Sequence, residues 1–133
     1  MKKILIGIDP GRHTGLAVIK DGKLVRCETM MIHHALTEIE LFAMSDYVEY
    51  DILVIVEDAR KRSGRPEAAQ GAGSVKRDST IWEDFLQDLK ISFKMIAPRK
   101  NGTRFRDEIF WAKYPYWSKR TSVHSRSAAN LLI

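Results

Sequence analysis

Asp9 and Glu57 each close a short apolar run, Ile4 to Ile8 and Ile52 to Val56, and this is where chemistry can be built. If the two runs are neighbouring parallel strands, both carboxylates lie side by side at one end of a sheet. Two acids so placed repel each other and are poorly hydrated. A divalent cation removes the conflict, and hard carboxylate oxygens suit Mg²⁺ or Mn²⁺. Two such ions can activate a water and stabilise the leaving oxygen in phosphodiester hydrolysis. Taken singly, each acid has a plainer reading. Asp9 before Pro10-Gly11 reads as a turn or cap, and Glu57-Asp58 as the solvated start of a loop. The pairing at two strand ends favours a site.

Basic residues gather at the same expected edge. Arg60, Lys61, Arg62 and Arg65 form one cluster, Lys76 and Arg77 a second, and Arg99, Lys100, Arg104 and Arg106 a third. Each follows a strand end or opens a helix. Any one of them reads most simply as a solubilising surface charge. Collected around an acidic centre, they predict contacts to phosphate, which dominates nucleic-acid affinity. Gly71 and Gly73 before a helix would let backbone amides approach a phosphate. The net charge of +5 and pI of about 9.4 agree with a polyanionic partner. His33 and His34 are adjacent and expected to point apart on a helix, so they carry no role. Trp111, Tyr114, Tyr116 and Trp117 read as core or dimer contacts rather than base-stacking platforms.

The elements that must position these residues follow from the apolar pattern. Ile4–Ile8, Leu16–Ile19 and Lys23–Met31 read as a three-stranded antiparallel meander, with Asp21-Gly22 as a two-residue hairpin turn. Leu36, Ile39, Ala43 and Tyr47 fall at helical spacing. Asp51–Glu57 is continuous and mostly β-branched, as in a central strand buried on both faces. Residues 59–74 read as a basic loop. Trp82, Phe85, Leu86 and Leu89 mark a helix face, Ile91–Ile96 a last strand, and Thr103 to about Lys113 a helix. A final helix is expected over roughly Thr121–Ile133. Strand–helix–strand crossovers imply parallel pairing in the second half. The expectation is a single α/β domain over residues 1–133, with a mixed five-stranded sheet and helices on both faces. The lone Cys27 allows no intrachain disulfide, and no apolar run nears the roughly 20 residues that span a bilayer. Asp9-Pro10 ends the first apolar run too early for a signal peptide. The chain reads as cytoplasmic.

Several segments together resemble one family. Ile4-Leu5-Ile6-Gly7-Ile8-Asp9-Pro10-Gly11, followed by Thr14-Gly15-Leu16-Ala17, resembles the opening of the RuvC family of Holliday junction resolvases. Val54-Ile55-Val56-Glu57 resembles its second acidic motif, and Gly71-Ala72-Gly73-Ser74-Val75 the small-residue start of the next helix. Ala97-Pro98-Arg99-Lys100 is similar to its basic turn. Thr121 to Ala129 is similar to its C-terminal helix. The likeness is strongest to small RuvC-like proteins of phages and prophages. It implies an RNase H-like fold, a homodimer, and paired nicks in four-way DNA junctions. It also implies Asp9 and Glu57 as ligands of Mg²⁺ or Mn²⁺, with two further polar groups three residues apart on the last helix, here His124 and Ser127. An imidazole at the first position can bind metal or a metal-held water. At the second the family expects Asp, and Ser127 removes one negative charge. The chain is then either an active resolvase or a catalytically impaired relative that binds branched DNA. Asp58 and Asp107 are the acids that could take the missing role. Ile6-Gly7-Ile8-Asp9 with its following turn also resembles the phosphate loop of sugar kinases and actin-like ATPases, but those need two such domains around a nucleotide.

Overall fold

The structure is a computed structural model that describes residues 2–45, 50–61, 72–98 and 103–133. Strands β1 (Lys2–Asp9), β2 (His13–Lys20) and β3 (Lys23–Met31) form the antiparallel meander. Asp21 and Gly22 both take left-handed φ, 51° and 83°, as the two-residue turn between β2 and β3 requires. Helix α1 (Ile32–Ser45) leads to β4 (Tyr50–Glu57), and a single 3₁₀ turn, Ala59–Lys61, follows directly. Helix α2 (Ala72–Leu89), β5 (Ser92–Ile96), α3 (Thr103–Lys113) and α4 (Val123–Asn130) complete the order. The sheet runs β3-β2-β1-β4-β5, with β1, β4 and β5 mutually parallel.

Side-chain alternation along the strands divides the core in two. Ile4, Ile6 and Ile8 of β1 and Ile52, Val54 and Val56 of β4 face α1 and α2, packing with Ala35, Ile39, Trp82 and Leu86. On the other face Ala17, Ile19 and Leu24 pack with Phe110 and Tyr114 of the α3 region and Ala128 and Ala129 of α4. Each large aliphatic or aromatic side chain so buried contributes roughly 1.5–3 kcal/mol. The expected mixed sheet with helices on both faces is therefore present. No helix among the described residues is long and apolar enough to cross a membrane.

Two boundaries differ from the sequence pattern. The last helix is shorter than 121–133. Ser122 has extended backbone and caps the helix: its hydroxyl accepts from the Ser125 N–H at 3.2 Å, and its own N–H donates to Ser125 Oγ at 2.8 Å. The stretch read as a basic loop from 59 to 74 contains the 3₁₀ turn, and α2 begins within it at Ala72, in the small-residue segment that resembles a helix start.

Candidate active site

The alternation that buries Ile8 and Val56 against α1 and α2 turns the next residue of each strand to the α4 face. The parallel register pairs Ile8 with Val56, so Asp9 and Glu57 end β1 and β4 at the same level. The expected juxtaposition of the two acids thus follows from pleat and register alone.

Helix α4 reaches these acids because nothing stands between it and the sheet. A Cβ on Gly15 would lie 2.0 Å from the carbonyl oxygen of His124, and one on Gly7 would lie 2.2 Å from that of Ala128. Only glycine allows the helix backbone to rest directly on β1 and β2. Arg126 ties the same helix to α3, with Nε 2.8 Å from Asp107 Oδ1 and Nη1 2.8 Å from Thr121 Oγ1. The side chains of Thr29 and Ser122 are hydrogen-bonded across to β3. So placed, α4 brings His124 Nδ1 to 3.2 Å from Asp9 Oδ2.

A cleft of about 200 Å³ results, lined by Asp9, Pro10, Glu57, Ala59, Val75, Val123, His124 and Ser127. All four residues expected to do chemistry are in it. Asp9 is 15% and His124 52% exposed, whereas the Ser127 side chain is nearly enclosed at 4%. Two carboxylates with an imidazole make a hard donor set that could hold Mg²⁺ or Mn²⁺. Among the described residues, no three His, Cys, Asp or Glu side chains are gathered closely enough to form a metal cage.

Neither acid that could replace the missing carboxylate is placed to do so. Asp58 is bonded to Arg60, whose guanidinium holds its carboxyl below the usual range. Asp107 is the partner of Arg126.

The basic residues divide. Arg60 and Lys61, expected to face phosphate, make internal bonds: Arg60 to Asp58 and Glu83, Lys61 Nζ to the Met95 carbonyl at 2.6 Å. Lys76 and Arg77 follow Val75, which lines the cleft, so their segment begins at its rim, and Arg77 is exposed. Arg62, Arg65, Arg99, Lys100 and Gly71, and the side chains of Arg104 and Arg106, lie outside the described residues, as does Tyr47. Gly73 sits in the first turn of α2, where a Cβ would meet nothing. His33 and His34 do not point apart: their ring centroids are 4.1 Å from each other. Tyr114 and Trp117 join the core beneath α4, while Trp111 and Tyr116 are exposed.

A larger cavity, about 540 Å³, lies on the other side of α4 between β3 and residues 117–122. It contains no paired acids. Its thiol, Cys27, is buried, and loss of solvation pushes it up to about 11, so it stays protonated at neutral pH. The paired acids line the smaller cleft.

What sequence reasoning missed is the Asp58–Arg60–Glu83 network. Its signal was present: β4 buries Ile52, Val54 and Val56 on one face and only half-buries the other, so alternation turns Asp58 inward after Val56, and a buried acid needs a cation.

No protein-family model matches the sequence, and none of the curated proteins matches it. Among solved structures, "T. thermophilus RuvC in complex with Holliday junction substrate" is similar with a TM-score of 0.67 at 13% identity, covering 96% of this chain and 89% of that one. The chain has the RNase H-like fold of that protein, over nearly its whole length.

Proposed function

We propose that the chain is a structure-selective DNA endonuclease that resolves four-way junctions by divalent-metal-dependent phosphodiester hydrolysis. The observation that carries this reading is the convergence of Asp9, Glu57, His124 and Ser127 on one cleft of a fold shared with a protein solved on a Holliday junction. In this reading Asp9 and Glu57 would hold Mg²⁺ or Mn²⁺, with His124 bound to the ion or to one of its waters. A bound ion supplies Lewis-acid activation of water and neutralises charge on the phosphate. His124, in contact with Asp9, orients that carboxylate and can carry a proton at its imidazole. Lys76 and Arg77 beside the cleft take phosphates of the DNA. One domain with one cleft makes one nick, so paired nicks call for two copies, a homodimer.

One observation favours a second reading, a junction-binding relative with impaired cleavage. Ser127 is enclosed in the cleft and neutral, and both candidate substitute acids are engaged elsewhere. The two readings separate when labelled four-way junction and linear duplex are incubated with the chain, Asp9→Asn and Ser127→Asp in Mg²⁺ and in Mn²⁺. The first reading expects junction cleavage by the unaltered chain and at least a hundredfold loss in Asp9→Asn, on the order of 3 kcal/mol of transition-state stabilisation. Cleavage appearing only in Ser127→Asp establishes the second. Failure of every variant to bind the junction would sink both.

A further inference from the structure

The strand end carrying Glu57 is held by a network that its chemistry does not require. Asp58, turned to the opposite face, is 1% exposed. Arg60 meets its carboxylate side-on, Nε to Oδ1 and Nη2 to Oδ2 both at 2.8 Å, and the Arg60 backbone N–H donates to Oδ1 at 3.0 Å. The remaining nitrogen, Nη1, crosses to α2 and lies 3.0 Å from Glu83 Oε1 and 3.3 Å from Thr80 Oγ1. The backbone beside it is pinned as well: the Asp58 N–H donates to the Ile96 carbonyl at 2.7 Å and the Ala59 N–H to Ser79 Oγ at 3.3 Å. The end of β4, α2 and β5 are thereby joined at the residue that follows Glu57.

We propose that Arg60, acting through Asp58 and Glu83, is a positioning residue that fixes Glu57 relative to Asp9, and is not one of the groups that bind DNA phosphate. The proposal rests on the reading of Asp9 and Glu57 as ligands of a divalent ion. All three guanidinium nitrogens already have acceptors, and the planar fork matches the carboxylate in a way no ammonium can. Releasing Arg60 to a phosphate would leave a buried carboxylate unpaired, which is strongly unfavourable. The clamp also neutralises Asp58, so a second anion next to Glu57 adds no charge to the cleft. Groups that orient metal ligands from behind change metal affinity by roughly 10–100-fold when removed.

The test uses the full chain with Mn²⁺ alone as probe, free Mn²⁺ being read by electron paramagnetic resonance. Junction binding is read separately by fluorescence anisotropy in EDTA across a series of NaCl concentrations. Arg60→Gln is expected to weaken Mn²⁺ binding at least roughly tenfold and to leave the slope of log affinity against log salt unchanged. Arg60→Lys, which keeps the charge and loses the fork, is expected to weaken Mn²⁺ binding similarly. Arg77→Gln gives the comparison for a lost phosphate contact, a slope smaller by about 0.9. That same slope loss in Arg60→Gln, with Mn²⁺ affinity intact, overturns the proposal. If Arg60→Gln does not fold, Glu83→Gln releases only the Nη1 arm: weaker Mn²⁺ binding supports the clamp and unchanged binding overturns it. An unaltered chain that binds no Mn²⁺ overturns the metal-site reading and the positioning role together. Mn²⁺ binding equal in the unaltered chain and Arg60→Gln overturns the positioning role alone.

Discussion

Burial acts in one direction on the two titratable side chains beneath α4. Loss of solvation pushes the Cys27 thiol up to about 11 and the Tyr114 hydroxyl up to about 12, from ordinary values near 9 and 10. In the unfolded chain both ionise at lower pH than in the fold. Their contribution to stability is therefore complete below about pH 9 and is lost as pH rises through about 11 to 12. Urea midpoints should fall steadily above pH 9, and Cys27→Ala should flatten the first part of that fall. A midpoint independent of pH between 9 and 11 would show that Cys27 is not shielded. Such behaviour is invisible in the sequence, where Cys27 is a lone thiol with no stated surroundings. Asp9 and Glu57, by contrast, were legible, because an acid that ends an apolar run is conspicuous. The partners of Arg60 were not legible for a physical reason: a sequence shows a cation among cations, and only the inward turn of Asp58 shows what that cation neutralises.

At the scale of elements, α4 sits where two bare backbone positions let it. Gly15→Ala would place a methyl 2.0 Å from the His124 carbonyl oxygen, and the helix must lift to accommodate it. The expected cost is about 3 kcal/mol or more, the upper end for forced overpacking. The Asp9–His124 contact should be lost with it. Thermal unfolding reads the first effect and the His124 ring NMR signals the second. Gly22→Ala, at a turn with open space around it, should cost only the strain of its φ of 83°. If Gly15→Ala is no worse than Gly22→Ala, close packing of α4 is not what places His124. Most elements were legible because the meander, the central strand and the helix faces obey simple periods of two and 3.6 residues. The length of α4 was not, since capping by Ser122 and Ser125 decides it and its polar residues resemble their neighbours. The glycines were read as part of a motif, but their reason, a helix resting directly on the sheet, needed three dimensions.

For the whole molecule, the net charge of +5 becomes a field that any polyanion meets before it meets the cleft. Junction affinity should drop roughly a hundredfold between about 50 and 200 mM NaCl, the signature of about four phosphate contacts. Lys76→Gln with Arg77→Gln should reduce the salt slope by about 1.8. Anisotropy titrations decide it, and a flat salt response would remove DNA as the partner. The sheet order was only partly legible: crossovers implied parallel pairing, but that β1 lies between β2 and β4 depends on pairings that single segments do not encode. That order has a further consequence. Asp9 lies in the first strand, and the His124 it touches is 115 positions later, on the last helix. A chain emerging from the ribosome folds its early segments first, so the meander and even the β1–β4 pair can form while the site is still incomplete. The cleft closes only when α4 has been synthesised and has settled on Gly7 and Gly15. Under the proposed function, a partly made chain that still lacks α4 lacks His124 and Ser127 and so has no complete site.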